Sequence, residues 1–303
     1  MNGKKARDKV DGWVILDKPV GPTSTQALGR VRRVFNAAKG GHAGTLDPLA
    51  SGVLPIALGE ATKTLAHFSD GTKEYEFAVR WGIATASDDA EGEVTATSDV
   101  RPAQGSIAAA LPRFTGEIDQ TPPVYSAIKI DGERAYALAR AGETVAMKSR
   151  KVLIHKLELL ETPSPDEARL RLSCGPGTYV RSLARDLALA LGTVGHVTAL
   201  RRTAVGRFRV ESAISLDKLE AFGHSPARFG ALAPVETVLD DIPALAVTAE
   251  EAAALRQGRS LRDPRAEHSP PEPGALAVFH DGKLVALADG DGGFIRPARV
   301  FNL

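Results

Sequence analysis

The chain has 303 residues, of which 43% are hydrophobic and 25% charged, and its formal net charge is +1. This composition excludes a disordered chain, and the length indicates about two domains. The single cysteine, Cys174, excludes an internal disulfide and a multi-thiolate metal site. The sequence contains neither the roughly 18-residue apolar run of a membrane span nor the apolar segment of a secretory signal. We therefore expect a cytoplasmic protein that does not enter a membrane.

The positive charge is concentrated in two segments. Residues 1–40 carry nine Lys/Arg and three Asp, and residues 169–209 carry eight Arg and one Asp. If the two segments fold together, they form a basic face that suits a phosphate backbone. The alternative is a pair of unrelated helix faces in contact with solvent.

Apolar periodicity predicts the main elements of the first two thirds of the chain. In residues 73–82, Tyr75, Phe77, Val79 and Trp81 fall on one side, which indicates a half-buried strand. Strands and helices mix without a regular βαβ alternation, so we predict an α+β fold class with a mixed, largely antiparallel sheet. The predicted elements are strands over 12–19, 73–82 and 168–174, a helix over 22–36 capped by Thr23 or Ser24, and a turn and helix over 175–192 that end at Gly192.

Residues 240–303 have a different character from the rest of the chain. Thr248 and Glu251 form a capping-box pattern at the start of a short helix, and residues 262–274 are typical of a loop. Residues 275–290 predict a β-hairpin around an Asp-Gly turn. We therefore predict two domains: a large catalytic domain over 1–239 and a small β-rich module over 240–303.

Residues 39–63, KGGHAGTLDPLASGVLPIALGEATK, contain a lone acid in a stiff, glycine-flanked turn. An Asp before Pro, as in Asp47–Pro48, is usually a turn residue that bonds nearby backbone N–H groups. Alternatively, Pro48 favours an extended conformation of Asp47 and aims its carboxylate into a cleft. One acid does not suit a glycosidase, no Ser/His/Asp or Cys/His set supports hydrolysis, and His42 fits no zinc spacing.

This segment resembles the catalytic motif of the TruB-type tRNA pseudouridine-55 synthases. Coverage extends over about residues 10–215, and residues 240–303 are similar to the PUA-like RNA-binding module of these enzymes. The other segments that match the family in order and spacing are ILDKPVGPTS (15–24), KEYEFAVRWG (73–82), PPVYSAIKIDGERAYALAR (122–140), GTYVRSLARDLALALG (177–192) and ALRRTAVGRF (199–208).

The resemblance implies a base isomerisation in RNA. Such an enzyme breaks the C1′–N1 bond of a uridine, rotates the uracil and rejoins it through C5, without a cofactor or metal. The expected substrate is the uridine at position 55 in the T-arm of tRNA, with no protein partner required.

The resemblance also assigns roles to individual residues. It makes Asp47 the catalytic carboxylate, which attacks C1′ or C6 or holds the detached sugar, and Arg181 the partner that keeps it charged. Tyr75 matches the ring that stacks on the uracil, and we hypothesise that its hydroxyl also relays the C5 proton. His42 matches the residue that fills the space left by the flipped base.

The remaining residues implied by the resemblance bind the RNA. Tyr179 and Leu200 match residues that line the nucleotide pocket. Asp89 falls on an acidic position associated with the flipped base, although Ala86 stands where the family often has an acid. The side chains expected to meet phosphates are Lys18, Lys63, Arg201 and Arg202.

Two other functions remain open at this point. One is a guide-dependent synthase of the same fold that works inside a ribonucleoprotein, and the other is an RNA-binding or tRNA-folding protein in which chemistry is secondary. Intact Asp47 and Arg181 favour an enzyme over a protein in which chemistry is secondary, and we expect a synthase that acts alone.

Overall fold

A long mixed sheet forms the frame of the protein. The computed structural model describes residues 7–68, 71–126, 128–130, 132–141, 143, 145–267 and 273–303. The strands are β1 (Gly12–Lys18), β2 (Gly40–His42), β3 (Ala50–Leu58), β4 (Lys73–Trp81), β5 (Ile83–Thr85), β6 (Val94–Thr97), β7 (Gly116–Gln120), β8 (Lys129–Ile130), β9 (Glu133–Arg134), β10 (Arg150–Ser164), β11 (Glu167–Cys174), β12 (Gly195–Val205), β13 (Phe208–Arg209), β14 (Ile214–Ser215), β15 (Ala244–Ala246), β16 (Leu261–Arg262), β17 (Gly274–His280), β18 (Lys283–Gly290) and β19 (Phe294–Val300).

Helices are short and lie between the strands. Among the described residues, no helix has the length and apolar character needed to cross a membrane. The α-helices are α1 (Ser24–Phe35), α2 (Leu65–Phe68), α3 (Gln104–Ala110), α4 (Ala135–Arg140), α5 (Val180–Ala190), α6 (Leu216–Ala221) and α7 (Ala249–Arg256). The 3₁₀ segments are Gly59–Thr64, Leu111–Phe114, Val210–Ser212, Pro226–Ala231, Val235–Val238 and Pro264–Glu267.

The large sheet has the strand order β14-β1-β3-β12-β4-β11-β10-β7, with β2 beside β3 and β13 beside β12. Two pairings, β1 with β14 and β3 with β12, are parallel, and the others are antiparallel. The prediction of an α+β fold with a mixed, largely antiparallel sheet is therefore confirmed. The central position of β12, between β3 and β4, brings three sequence motifs to one place.

The predicted strands and helices pack as their patterns indicate. Tyr75, Phe77, Val79 and Trp81 of β4 are all buried, as the alternation predicts. They share a core with apolar residues of β11, α1 and α5. The cap of α1 is Thr23, in a capping box with Gln26, and α5 is followed by Gly192 at a left-handed φ of 73°.

The C-terminal residues form a second sheet of five strands, in the order β15-β17-β18-β19-β16. The capping box of Thr248 with Glu251 starts α7, as predicted. The hairpin β17–β18 turns at Asp281 and Gly282, whose φ values of 47° and 72° are those of a type I′ turn. In the predicted loop 262–274, residues 268–272 lie outside the described residues.

The two sheets share an apolar cluster. It contains Trp13, Phe68 and Phe208 from the large-sheet region together with Leu284 and Phe301 from the C-terminal region. The rings of Trp13 and Phe68 lie 5.5 Å apart, and those of Phe68 and Phe208 lie 5.2 Å apart. The C-terminal sheet is thus joined to the large sheet by side-chain packing as well as by the chain.

Loss of this shared packing is expected to destabilise the whole protein. Phe301 is 1% exposed, so Phe301→Ala should lower the free energy of unfolding by about 3–5 kcal/mol, the range for removing a buried aromatic ring. The matched control is Phe294→Ala, because Phe294 is 53% exposed and its loss should leave stability nearly unchanged. Equal denaturant midpoints for the two variants would contradict the importance of this cluster.

Candidate active site

A cleft of about 1110 Å³ opens where β3, β12 and β4 approach the start of α5. Its walls include the turn before β3, the strands β4 and β12, the segments 86–93 and 125–126, and residues 177–181. Eight of the eleven residues predicted for the site line this cleft: His42, Asp47, Tyr75, Asp89, Tyr179, Arg181, Leu200 and Arg202.

The turn that carries Asp47 is held by helix α1. Ser24 Oγ donates to Leu46 O at 2.9 Å, and Leu46 N donates to Ser24 Oγ at 2.8 Å. Asp47 Oδ2 lies 3.0 Å from Arg181 Nε, and 35% of the Asp47 side chain is exposed, into the cleft. Asp47 thus lies in a turn and also directs its carboxylate into the cleft, as the second interpretation of its motif predicts.

Arg181 is the buried centre of the site, with only 5% of its side chain exposed. Besides Asp47, its Nη1 lies 3.4 Å from Asp89 Oδ2 and donates to Ser87 O at 2.8 Å. Its Nη2 donates to Tyr125 O at 2.9 Å. Because a buried guanidinium is costly unless its charge and donors are satisfied, these four groups must surround it in one arrangement.

Burial and charge act on Asp47 in opposite directions. Burial raises the pKa of Asp47 above its ordinary value, and the negative charge of Asp89 adds to the rise. The charge and hydrogen bond of Arg181 and the charge of Lys18 lower the pKa of Asp47, though by less than burial and Asp89 together raise it. The carboxylate therefore gains a proton at higher pH than a solvated aspartate.

Tyr75 and Arg202 face each other across β4 and β12, where they are register partners. Burial raises the pKa of the Tyr75 hydroxyl, and the nearby Arg202 guanidinium partly opposes this rise. Arg202 is 1% exposed and donates to Val53 O at 2.8 Å and to Gly44 O at 3.1 Å. It is a buried part of the cleft wall, and its contact with a phosphate stays a prediction.

His42 lies on β2 at the rim of the cleft. Its Nδ1 is buried and has no hydrogen-bond partner among the described residues. Burial and the positive charge of Arg202 lower the pKa of His42, so a neutral ring faces the cleft at neutral pH. A neutral, partly buried ring with a free nitrogen is suited to contact with a nucleobase.

Tyr179 and Leu200 complete the apolar part of the wall. The backbone of Tyr179 is held by the Gln120 amide, which accepts from Tyr179 N at 2.8 Å and donates to Tyr179 O at 3.1 Å. The Arg150 guanidinium lies 5.1 Å from the centre of the Tyr179 ring. Leu200 is a buried residue of β12.

Three predicted residues lie outside the cleft. Lys18 has no exposed surface and donates to Pro19 O and Pro22 O, each at 2.8 Å, and its contact with a phosphate stays a prediction. Burial lowers the pKa of Lys18 to about 8. Lys63 donates to Glu60 at 2.6 Å and to Val300 O at 2.7 Å, which ties β19 to the 3₁₀ segment Gly59–Thr64 that follows β3. Arg201 binds Asp17 through both carboxylate oxygens, at 2.8 and 3.1 Å.

The arginines of residues 169–209 do not form a free basic face. All eight have partners, and for seven of them the partner is a carboxylate. The ion pairs of these seven arginines are Arg169 with Glu161 and Glu167, Arg171 with Glu76, Arg181 with Asp47 and Asp89, Arg185 with Asp88 and Asp186, Arg201 with Asp17, Arg207 with Asp240, and Arg209 with Glu74.

Sequence reasoning missed Arg185 and Asp88, which lie behind the residues that line the cleft. Arg185 Nη1 lies 2.8 Å from Asp88 Oδ2, directly behind the contacts of Arg181 with Ser87 and Asp89. The available signal was two arginines four residues apart and an Asp-Asp pair, which do not reveal their pairing. Among the described residues, no group of three or more His, Cys, Asp or Glu side chains could hold a metal ion.

Comparisons with known proteins identify relatives along the whole chain. A model described as TruB family pseudouridylate synthase (N terminal domain) matches residues 32–180, and one described as tRNA pseudouridylate synthase B C-terminal domain matches residues 181–240. The tRNA pseudouridine synthase B of Rhodospirillum rubrum is 53% identical, over 100% of this chain and 100% of the relative. That of Bradyrhizobium diazoefficiens is 55% identical, over 99% of this chain and 88% of the relative.

Solved structures with the same fold come from ribonucleoprotein components. A Cbf5-Nop10-Gar1 complex matches with a TM-score of 0.72 and 27% identity, over 96% of this chain and 85% of the matched one. An H/ACA RNP bound to a substrate RNA containing 2′-deoxyuridine matches with a TM-score of 0.71 and 26% identity, over the same fractions.

The shared guanidinium predicts how the pKa of Asp47 responds to its neighbour. Asp89→Asn removes a negative charge near Asp47 and leaves Arg181 to pair with Asp47 alone, so the pKa of Asp47 should fall. Carboxyl-carbon NMR titration of Asp47 measures this change. Glu117→Gln, in an exposed pair with Lys151, is the control and should leave the titration of Asp47 in place. An unchanged or higher pKa in Asp89→Asn would contradict the coupling.

Proposed function

Because this chain belongs to the TruB family of pseudouridylate synthases, we propose that it converts the uridine at position 55 in the T-arm of tRNA to pseudouridine. The observation that carries this proposal is the Asp47 carboxylate, which faces the cleft while Arg181 holds it from behind at 3.0 Å. The relatives named tRNA pseudouridine synthase B support tRNA as the substrate, and the matched motifs support position 55.

In this proposal, the target uridine leaves its stack before any chemistry. Asp47 lies in a concave cleft that a base inside a duplex cannot enter, and flipping a nucleotide costs on the order of a few kcal/mol. The neutral His42 ring at the rim fills the space that the base leaves. Tyr179 and Leu200 contact the flipped nucleotide.

Asp47 then acts as the charged group of the reaction. Its ionised carboxylate adds to C1′ or C6 of the nucleotide, or stabilises the sugar after the C1′–N1 bond breaks. Arg181 keeps the carboxylate ionised and prevents its rotation, because the guanidinium is itself held by Ser87, Asp89 and Tyr125. The reaction needs no cofactor, since the uracil is both the leaving group and the nucleophile.

After the uracil has rejoined through C5, a proton must leave that carbon. Tyr75 lies in the same cleft, and its ring can stack on the uracil while its hydroxyl gives its own proton to solvent and takes the proton from C5. The detached N1 gains a proton from solvent, so the isomerisation is balanced. A phenol has a reference pKa of about 10, and burial raises it further. The Arg202 guanidinium beside the hydroxyl is therefore the group that stabilises a transient phenolate.

Comparison of the relatives favours an enzyme that acts without a guide RNA. Identity to the proteins named tRNA pseudouridine synthase B is 53–55%, whereas identity to Cbf5 in complex with Nop10 and Gar1 is 27%. Purified protein with an unmodified tRNA transcript, and nothing else, is the direct test. We expect pseudouridine at position 55, and no product from a transcript with cytidine at that position. Product that appears only when a guide RNA or partner is added would contradict the proposal.

Asp47→Asn should abolish turnover and leave tRNA affinity nearly unchanged. The amide has the size of the carboxylate but no charge to react, whereas affinity depends mainly on phosphate contacts. Single-turnover rates and filter binding separate the two effects. Product formation above roughly one thousandth of the wild-type rate would remove Asp47 from the chemistry.

Tyr75→Phe tests the role of the hydroxyl separately from the ring. The variant keeps the stacking surface, so it should bind and flip the uridine but lose nearly all product formation. Tyr75→Leu should lose the stacking as well, which is worth about 1–3 kcal/mol per base. A single-turnover rate for Tyr75→Phe within about tenfold of wild type would mean that another group takes the C5 proton.

A further inference from the structure

Helix α5 carries a second arginine directly behind the first. Arg181 and Arg185 are one helical turn apart, so both reach the same side of α5. There they meet consecutive acids of the segment 86–92: Arg181 contacts Asp89 at 3.4 Å, and Arg185 contacts Asp88 at 2.8 Å. The two ion pairs together connect helix α5 to the segment 86–92.

Asp88 is built into this loop by its backbone. Its φ of 59° is left-handed, a conformation that Asp and Asn adopt more readily than most residues. Asp88 O accepts from Val197 N at 3.1 Å, and Ala90 N donates to Val197 O at 3.0 Å. The loop is therefore anchored to β12 on one side and, through Asp88, to Arg185 on the other.

Arg185 also joins the opposite wall of the cleft. Its Nη2 donates to Thr121 O at 2.9 Å, and Ser182 Oγ donates to the same carbonyl at 2.8 Å. The segment that begins at Thr121 continues to Tyr125, whose carbonyl binds Arg181. One side chain thus ties together the two segments that surround the Arg181 guanidinium.

We propose that Arg185 and Asp88 are a positioning pair that sets the orientation of Arg181 and, through it, of Asp47. Both residues are described and neither lines the cleft, so they are placed to act on a nucleotide in the cleft through Arg181 and not by direct contact. The pair is largely shielded, with 27% of the Arg185 and 14% of the Asp88 side chain exposed, so its charges are less screened than those of a surface pair. This inference rests on the proposed function, because its effect is read through the isomerisation.

The physical effect concerns the direction of the guanidinium. Arg181 has donors for Asp47 on one side and for Ser87 O and Asp89 on the other. If the loop moves away from α5, that second set of acceptors moves with it, and the fork no longer points Nε at Asp47. A displacement of about 1 Å at a reacting group lowers a rate by up to about 100-fold.

The test is a double-mutant cycle with full-length protein and an unmodified tRNA transcript. Asp88→Asn keeps the left-handed backbone and removes the charge, and Arg185→Gln removes the other partner. Each should lower the single-turnover rate constant at saturating protein by about 10- to 100-fold, with the Kd for tRNA within about threefold of wild type. The double variant should fall no more than about twofold below the slower single variant, because the pair is already broken.

Controls distinguish positioning from folding and from failure of the proposed function. Arg171→Gln breaks an exposed pair with Glu76 on the same large sheet and should keep the wild-type rate. Arg185→Lys keeps the charge but not the forked guanidinium, so its rate should lie between those of the wild type and Arg185→Gln. If Arg185→Gln does not fold, Arg185→Lys takes its place in the cycle and should still be slower than the wild type.

Three results would overturn the inference: additive losses in the cycle, losses matched by equal weakening of Kd, or rates equal to that of Arg171→Gln. A wild-type protein that makes no pseudouridine would instead refute the proposed function. Normal wild-type activity with normal pair variants would refute the positioning role alone.

Discussion

A buried guanidinium imposes the strictest constraint in this protein. Arg181 carries a permanent charge and five donors, and it lies almost entirely out of solvent. Its four acceptor residues come from three separate places in the chain: Asp47, the pair Ser87 and Asp89, and Tyr125. The cost of leaving such a charge unpaired is several kcal/mol, so the cleft and the ion network can only form together.

Much of the fold could be predicted because its cause is local. The alternation in β4, the capping boxes of α1 and α7 and the type I′ hairpin each depend on residues within a few positions of one another. The pairing of β12 with both β3 and β4 is a long-range choice, and periodicity does not contain it. That choice is nevertheless what brings the Asp47 turn to Tyr75 and to Leu200.

Some features of the candidate site could likewise be predicted from the sequence, and others could not. Motif resemblance selected eight residues that the structure brings to one cleft, but it could not separate them from neighbours that lie outside the cleft. Arg201 and Arg202 are adjacent on β12, yet Arg201 binds Asp17 outside the cleft, whereas Arg202 is buried in the cleft wall beside its register partner Tyr75. Local charge sums were also misleading, because every acid that pairs with an arginine of residues 169–209, except Asp186, lies outside that segment of the sequence. The Asp88–Arg185 pair illustrates this, since its two partners are 97 positions apart.

The apolar cluster that joins the two sheets has a consequence for how a large ligand meets the protein. Trp13, Phe208, Leu284 and Phe301 pack into one core, so the C-terminal sheet is seated on the large sheet and does not hang from a flexible tether. A rigid molecule that touches both parts meets them at a preset separation and orientation. Once the ligand binds one sheet, the other sheet is already positioned to contact it. The translational and rotational entropy of the ligand is therefore lost in a single step. The surfaces of the large sheet and of the C-terminal sheet therefore select a ligand by its shape. A bent molecule whose span matches their separation contacts both surfaces, whereas a straight or differently bent molecule contacts only one.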